Sequence, residues 1–89
     1  MADTISNVKL LGVQYQNLNT LTGIAVGTKL EIQNQTTEPV RLSISSTQPS
    51  LNTDKFFLLK DDISIIATIS AGENDVWALG DGYIHVEGV

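Results

Sequence analysis

The chain has 89 residues, no cysteine and a formal net charge of −5, from 10 acidic and 5 basic side chains. This length predicts a single domain over residues 1–89, and leaves room for a flexible N-terminal segment over residues 1–7. The absence of cysteine excludes a disulfide framework and a thiolate zinc site. The basic residues are spread singly, whereas phosphate binding needs several converging cations, so we expect neither a nucleic-acid nor a membrane partner.

The N-terminal residues lack a basic region followed by an apolar stretch, so we expect no secretory signal and synthesis in a cytoplasm. No apolar run reaches the roughly 18–20 residues that span a bilayer. The sequence therefore predicts a protein that stays soluble.

Short runs of alternating apolar and polar residues predict about seven strands and no convincing helix. The first strand is expected within residues 8–18, with Leu11, Val13 and Tyr15 on one face. The clearest prediction is a hairpin, in which a strand around residues 29–33 and a strand over residues 40–45 flank a polar connection.

The polar stretch 46–55 is interpreted as a long loop, and a crossover between two sheets is favoured over a functional loop by about two to one. The apolar run 56–59 is expected to be a buried strand, and the β-branched residues in 63–69 another. Gly80-Asp81-Gly82 predicts a hairpin turn with positive φ at both glycines. It separates a short strand over residues 76–79 from an alternating one over residues 83–87.

These elements predict a small, all-β, single-domain antiparallel β-sandwich that is jelly-roll-like, although periodicity alone does not exclude a small barrel.

His85 is the only histidine. Because Tyr83 and Glu87 share its strand face, we expect an outward-pointing surface or interface histidine.

Catalytic chemistry is poorly represented. A single histidine cannot form a zinc site without cysteines or several converging carboxylates. The acidic residues fall at predicted turns without the spacing of a calcium loop, which leaves open only a weak cation site. No glycine-rich phosphate loop is present. We therefore expect no catalytic, cofactor-binding or metal-binding residues, no cofactor, and no enzymatic activity.

The candidate interface residues are Phe56, Phe57, Trp77, Tyr83 and His85. Adjacent residues of a strand point to opposite faces, so Phe56 and Phe57 cannot both enter one core. Trp77 is of a type common in binding hot spots, but we favour a role as the main plug of the core by about two to one.

Four segments occur in an order that resembles small virion-associated proteins from the structural modules of tailed bacteriophages. They are residues 18–30, 32–35, 46–49 (STQP) and 71–78 (AGENDVWA). The resemblance runs from about Leu18 to the end of the chain. It implies a β-sandwich that acts as a head decoration (cement) protein or as a small tail or fibre component, often as a trimer. It carries over no catalytic or binding residues.

The leading hypothesis is a non-enzymatic bacteriophage structural protein, made in the host cytoplasm and located in the virion. It would self-associate, with a homotrimer favoured, and contact capsid or tail proteins. So small a core without disulfides or metal gains stability by association, and uncharged polar surface is cheaper to desolvate than charge. The alternative is a small module that recognises cell-surface carbohydrate through exposed aromatic residues around a concave site. A metal-assisted enzyme is a distant third reading.

Overall fold

The computed structural model describes residues 7–70 and 72–89. Within that part the chain forms eight β-strands and one short helix. They are β1 (Val8–Leu11), β2 (Gln16–Asn17), α1 (Leu18–Thr22), β3 (Leu30–Asn34), β4 (Val40–Ser45), β5 (Phe57–Leu59), β6 (Ile66–Ile69), β7 (Asp75–Leu79) and β8 (Asp81–Gly88). The all-β prediction is confirmed. The helix was not predicted; Asn17 caps its start by accepting from the Thr20 N–H, and Gly23 ends it in the left-handed conformation.

The strands form two four-stranded sheets, which we call sheet I (order β1-β8-β3-β6) and sheet II (order β2-β7-β4-β5). Strand pairs β1–β8, β2–β7, β3–β6 and β4–β5 are all antiparallel and nest inside one another. The chain is thus one long antiparallel ribbon, folded back between β4 and β5 and rolled into a two-layer sandwich. This is a jelly-roll arrangement, so the predicted fold class is confirmed, with eight strands instead of about seven.

Two predicted connections are wrong. β3 pairs with β6 and β8, and β4 pairs with β5 and β7, so β3 and β4 do not form a hairpin. Their connection crosses between the sheets, and their apolar faces meet across the core instead of side by side. The loop predicted as a crossover instead joins the paired strands β4 and β5 within sheet II. The alternation of apolar and polar residues shows which face of a strand is buried. It does not show which other strand lies beside it in the sheet.

The predicted hairpin turn at residues 80–82 is also wrong, because β7 lies in sheet II and β8 in sheet I. Gly80 alone separates the two strands, and its φ is not positive. A Cβ at this position would lie 2.9 Å from Val40 Cγ2, so glycine is needed for space. Gly82 does have a positive φ, of 125°, and a Cβ there would approach Thr36 Cγ2 to 3.0 Å.

The core lies between the two sheets and is filled by alternate side chains of both. Its fully buried members include Leu10, Leu18, Leu30, Ile32, Val40, Leu42, Ala78, Ile84 and Val86. The first strand buries the opposite face from the one predicted: Val8 and Leu10 are buried, whereas Leu11 and Val13 are exposed. Gly12, with a φ of 75°, ends β1 and interrupts the alternation before the buried Tyr15.

Trp77 is not the main side chain that fills the core, in contrast to the prediction. Its neighbours Val76 and Ala78 point inward, while the half-buried indole lies on the outer face of sheet II and donates a hydrogen bond to the Ser45 carbonyl at 2.9 Å. The run 56–59 is not a buried strand either. Only Leu59 in it is buried, because β5 is the terminal strand of its sheet.

Three other local predictions can be compared with the structure. The strand expected over residues 63–69 begins at Ile66, and the strands expected over residues 76–79 and 83–87 are present within β7 and β8. The segment 1–7, considered for flexibility, lies outside the described residues except for Asn7.

Candidate functional site

Exposed apolar side chains are concentrated between positions 57 and 66, on the terminal strands β5 and β6 and on the connection between them. Each has between 40% and 65% of its surface exposed. We call this set the apolar side; its members are Phe57, Leu58, Ile63, Ile65 and Ile66. Phe57 and Leu58 lie on β5, Ile66 begins β6, and the other two belong to the connection 60–65. Leu58 lies on the outer face of sheet II and Ile66 on the outer face of sheet I.

The apolar side coincides with two open strand edges. β5 ends sheet II and β6 ends sheet I, and the short connection between them holds both on the same side of the sandwich. Each terminal strand has one row of backbone N–H and C=O groups without a strand partner in the described chain. Natural proteins protect such edges by keeping them very short, or with charges, proline or bulges. β5 and β6 are short, with three and four residues. The described strands β5 and β6 contain no charged residue and no proline.

A hydrogen-bonded turn sets the direction of Ile63 and Ile65. The Asp62 carboxylate accepts from the Ser64 hydroxyl at 2.6 Å and from the Ser64 backbone N–H at 2.9 Å, and the Ile65 N–H donates to the Asp62 carbonyl at 3.0 Å. The two Ser64 hydrogen bonds, the side-chain one first, lower the pKa of Asp62 below its ordinary value. Ile63 and Ile65 are therefore exposed on a turn whose backbone is held by hydrogen bonds.

The outer face of sheet I is polar where it adjoins the apolar side. An open concavity of about 180 Å³ is lined by Glu31, Gln33, Ile66, His85 and Glu87. Glu31 and Glu87 are direct partners in the β3–β8 register, so two like charges lie side by side there. This face therefore places the negative charges of Glu31 and Glu87 close to Ile66 of the apolar side.

A chain of side-chain amides, which we call the amide relay, runs across this face. Gln33 Nε2 donates to the Ile63 carbonyl at 2.7 Å, and Gln35 Nε2 donates to Gln33 Oε1 at 2.8 Å. Asn7 Nδ2 donates to Gln35 Oε1, also at 2.8 Å. The relay thus links Asn7, which precedes β1, to Gln33 and Gln35 at the end of β3 and to the connection that carries Ile63.

His85 lies at the far end of the amide relay. Its Nδ1 is 2.6 Å from Asn7 Oδ1, and its Nε2 is 2.9 Å from Glu87 Oε1. The ring is half-buried and points outward on the face that carries Tyr83 and Glu87, as predicted. Both of its nitrogens therefore contact oxygen atoms.

The structure does not bring the five candidate interface residues together. Phe57 and Trp77 belong to sheet II, and Phe56 directly precedes β5 of that sheet. Tyr83 and His85 lie on the outer face of sheet I. Phe56 is half-buried, with the Arg41 guanidinium carbon 4.7 Å from its ring centre, and Tyr83 is exposed.

Of these five, only Phe57 belongs to the apolar side. Sequence reasoning assigned the other four members of the apolar side to strands without recognising an exposed edge. The one available signal was the lack of polar alternation in residues 56–59, which also fits a buried strand.

Among residues 7–70 and 72–89, no group of three or more histidine, aspartate and glutamate side chains is placed to hold a metal ion. Over the same residues, no helix has the length and apolar character required to cross a bilayer. Comparison with protein-family models, curated proteins and solved structures found no match to this chain.

Proposed function

We propose that this chain is a non-enzymatic structural protein that self-associates through its apolar side, as a component of a tailed-bacteriophage particle. The apolar side, on two short edge strands without charged residues, is the observation that supports assembly. The assignment to a virion, as a capsid decoration protein or a small tail or fibre component, rests on the sequence resemblance alone.

The energetics favour reversible contacts. Fully burying a large apolar side chain contributes about 1.5–3 kcal/mol, so covering the exposed half of five such side chains in each of two copies contributes about 8–15 kcal/mol. Association costs about 4–15 kcal/mol in lost freedom of motion. The two ranges overlap, so an isolated pair is expected to be weak or moderate in affinity. Copies held on a repeating particle surface add avidity, which suits assembly on a lattice.

The two open edges allow two kinds of closed assembly. Pairing β5 of one copy with β5 of another gives a two-fold dimer, in which both copies use the same patch. Facing β5 of one copy with β6 of the next gives a ring, and a three-membered ring is the trimer that the sequence resemblance implies. A trimer also matches three-fold sites on a particle.

The fold by itself does not choose between assembly and carbohydrate recognition, since jelly rolls serve in both viral capsid and lectin domains. A sugar site would be expected to place an aromatic platform beside a concavity. The described lining of the sheet I concavity contains no aromatic side chain. The exposed Tyr83 lies on the same strand face as His85, so one aromatic side chain is near this concavity without lining it.

The absolute mass of the purified protein, measured by light scattering over a range of concentrations, tests the proposal. We expect an oligomer in the wild type and a monomer in Leu58→Glu. Leu11→Glu is a matched control, because Leu11 and Leu58 are 59% and 58% exposed and Leu11 lies on β1, at the opposite edge of the sandwich. A wild type that is monomeric throughout, or an equal effect of the two substitutions, would contradict self-association through the apolar side.

The virion assignment needs its own measurement. The wild type should bind purified capsid or tail particles of its source phage, and Leu58→Glu should bind them more weakly. Absence of binding to every particle component would overturn the virion assignment, even for a protein that self-associates. Binding to glycans by monomeric protein, read by quenching of Trp77 fluorescence, would support the carbohydrate alternative.

A further inference from the structure

We infer that self-association joins unlike edges: β5 of one copy lies against β6 of a second copy, and Arg41 of the first reaches the sheet I concavity of the second. This contact rests on the proposed function, because it specifies which parts of the apolar side meet.

Two copies can meet in two ways that give both terminal strands of each copy a partner. In the first, like strands meet, β5 with β5 and β6 with β6. In the second, unlike strands meet, β5 with β6 in both layers. Paired strands continue one sheet, so the outer face of sheet II then continues into the outer face of sheet I of the second copy.

The apolar and charged residues at the joint itself do not distinguish these arrangements. Leu58 points outward from β5 and Ile66 points outward from β6, so an apolar side chain can meet another apolar side chain in either one. Lys60, Asp61 and Asp62 belong to the connection between β5 and β6 and are close to the joint in both. The choice therefore depends on the charges carried by the strands behind the two edges.

The strand behind β5 carries a cation. Arg41 of β4 is the register partner of Leu58, so the two side chains share the outer face of sheet II. The guanidinium carbon is 4.7 Å from the ring centre of Phe56, which directly precedes β5, so the charge leans from β4 toward the open edge. Within residues 7–70 and 72–89, Arg41 has no ion-pair partner.

The strand behind β6 carries an anion beside a second one. Glu31 of β3 is the register partner of Thr68 in β6 and of Glu87 in β8. Glu31 is half-buried, and its carboxylate has no hydrogen-bond or ion-pair partner in the described part of the chain. Both glutamates line the sheet I concavity together with Ile66. The apolar side therefore continues directly into a concavity of negative charge.

Only the pairing of unlike edges brings these opposite charges together. Neighbouring strands are about 4.8 Å apart, so the backbones of Arg41 and of Glu31 in the second copy are separated by three strand spacings, about 14 Å. Extended arginine and glutamate side chains that point toward each other span this distance.

Pairing of like edges places like charges at the same separation, Arg41 facing Arg41 and Glu31 facing Glu31. Each copy has a formal net charge of −5, so two copies repel one another unless the surfaces that meet are complementary in charge. The unlike-edge contact supplies that complementarity.

Cysteine trapping tests which edges meet, since the chain contains no cysteine. Leu58→Cys and Ile66→Cys are purified separately, one of them labelled with heavy nitrogen, then mixed and oxidised, and the linked pairs are identified by mass. We expect mixed pairs to exceed pairs of either variant with itself, because a disulfide requires Cα atoms within about 7 Å. Thr68→Cys in place of Ile66→Cys covers the alternative register. Leu11→Cys, on β1 at the opposite edge, should link to neither.

The other outcomes of trapping are distinct. Predominance of Leu58→Cys linked to itself would overturn the unlike-edge contact and leave the proposed function standing, and so would the absence of links in a protein that associates. A wild type that does not associate at all would overturn the proposed function, and this contact with it.

Charge reversal tests the ion pair by sedimentation equilibrium. Arg41→Glu and Glu31→Arg should each weaken association about tenfold, because attraction becomes repulsion at two equivalent contacts. The double variant should recover most of the loss. Lys9→Glu and Asp81→Arg change the net charge equally at exposed positions by the β1 edge and should act much less. Single reversals no stronger than these controls, or a double variant as weak as the single ones, would overturn the pairing of Arg41 with Glu31.

Discussion

Gly80 packs directly against Val40: a Cβ at position 80 would lie 2.9 Å from Val40 Cγ2 and 3.4 Å from Leu10 Cδ1. The contact occurs where the chain passes from β7 in sheet II to β8 in sheet I through a single residue. The close approach of these two positions lets the last two strands of the jelly roll change layers without a loop.

Gly80→Ala should therefore destabilise the fold by about 1–3 kcal/mol, because the added methyl group forces Val40 or the backbone to move. Urea denaturation measures the loss. Combining it with Val40→Ala should cost less than the sum of the two single substitutions, since the smaller residue relieves the contact. Strict additivity would contradict a steric origin.

Asn34 is a buried polar residue that connects three parts of the fold. Its Nδ2 donates to the Glu38 carbonyl at 2.8 Å and to the Leu59 carbonyl at 3.1 Å, and its Oδ1 accepts from the Thr36 N–H at 2.8 Å. Asn34→Ala leaves these backbone groups without their partner and should cost about 1–3 kcal/mol in urea denaturation.

A matched substitution separates this effect from general sensitivity of the β3–β4 connection. Thr37 is exposed in the same connection. Thr37→Ala should change the free energy of unfolding by no more than about 0.5 kcal/mol. A similar loss in the two variants would argue against a specific role for Asn34.

Trp77 provides a test of its placement on the outer face of sheet II. Trp77→Phe keeps an aromatic ring but removes the indole N–H that bonds the Ser45 carbonyl, and should cost about 0.5–1.5 kcal/mol. Leu42→Ala, which empties a fully buried position, should cost about 2–5 kcal/mol. Urea denaturation of the two variants should give this order; the reverse order would restore Trp77 as the plug of the core.

The Asp62 carboxylate provides a prediction on pH. Its pKa is lowered from the ordinary 3.8 by the Ser64 side-chain and backbone hydrogen bonds. A carboxylate with a lowered pKa stabilises the fold above pH 3.8, and that contribution is lost as the pH falls through the lower folded value. Ser64→Ala should raise the pKa of Asp62 toward 3.8, as measured by carboxyl carbon NMR. Its stability difference from the wild type should disappear in strong acid, and an unchanged Asp62 titration would contradict the assignment.

Strand positions and strand faces were predictable where alternation was regular. Residues 83–87 alternate without interruption, and the structure places Ile84 and Val86 in the core with His85 pointing outward. Such patterns depend only on which face of a strand meets the core. Prediction failed where a local irregularity reset the alternation, as at Gly12, or where inward-pointing neighbours were smaller than the residue between them, as at Trp77.

The candidate site was mostly not predictable. Phe57 was singled out, but its exposure and that of Leu58 depend on β5 being a terminal strand. A run of apolar residues in a central strand has the same composition. Edge position follows from strand order, which in turn follows from pairings such as Leu42 with Ala78 that are distant in sequence.

The amino-acid sequence by itself determined that the protein is all-β, where most strands lie, and that His85 points away from the core. These properties follow from local periodicity and from turn-forming residues. Only the tertiary structure decided which strands are neighbours, which edges remain open and which polar groups meet. Asn7 and His85 are 78 positions apart, and they come within hydrogen-bonding distance because the first and last strands of the jelly roll pair. Contacts of this kind depend on closure of the whole chain, which a local pattern does not encode.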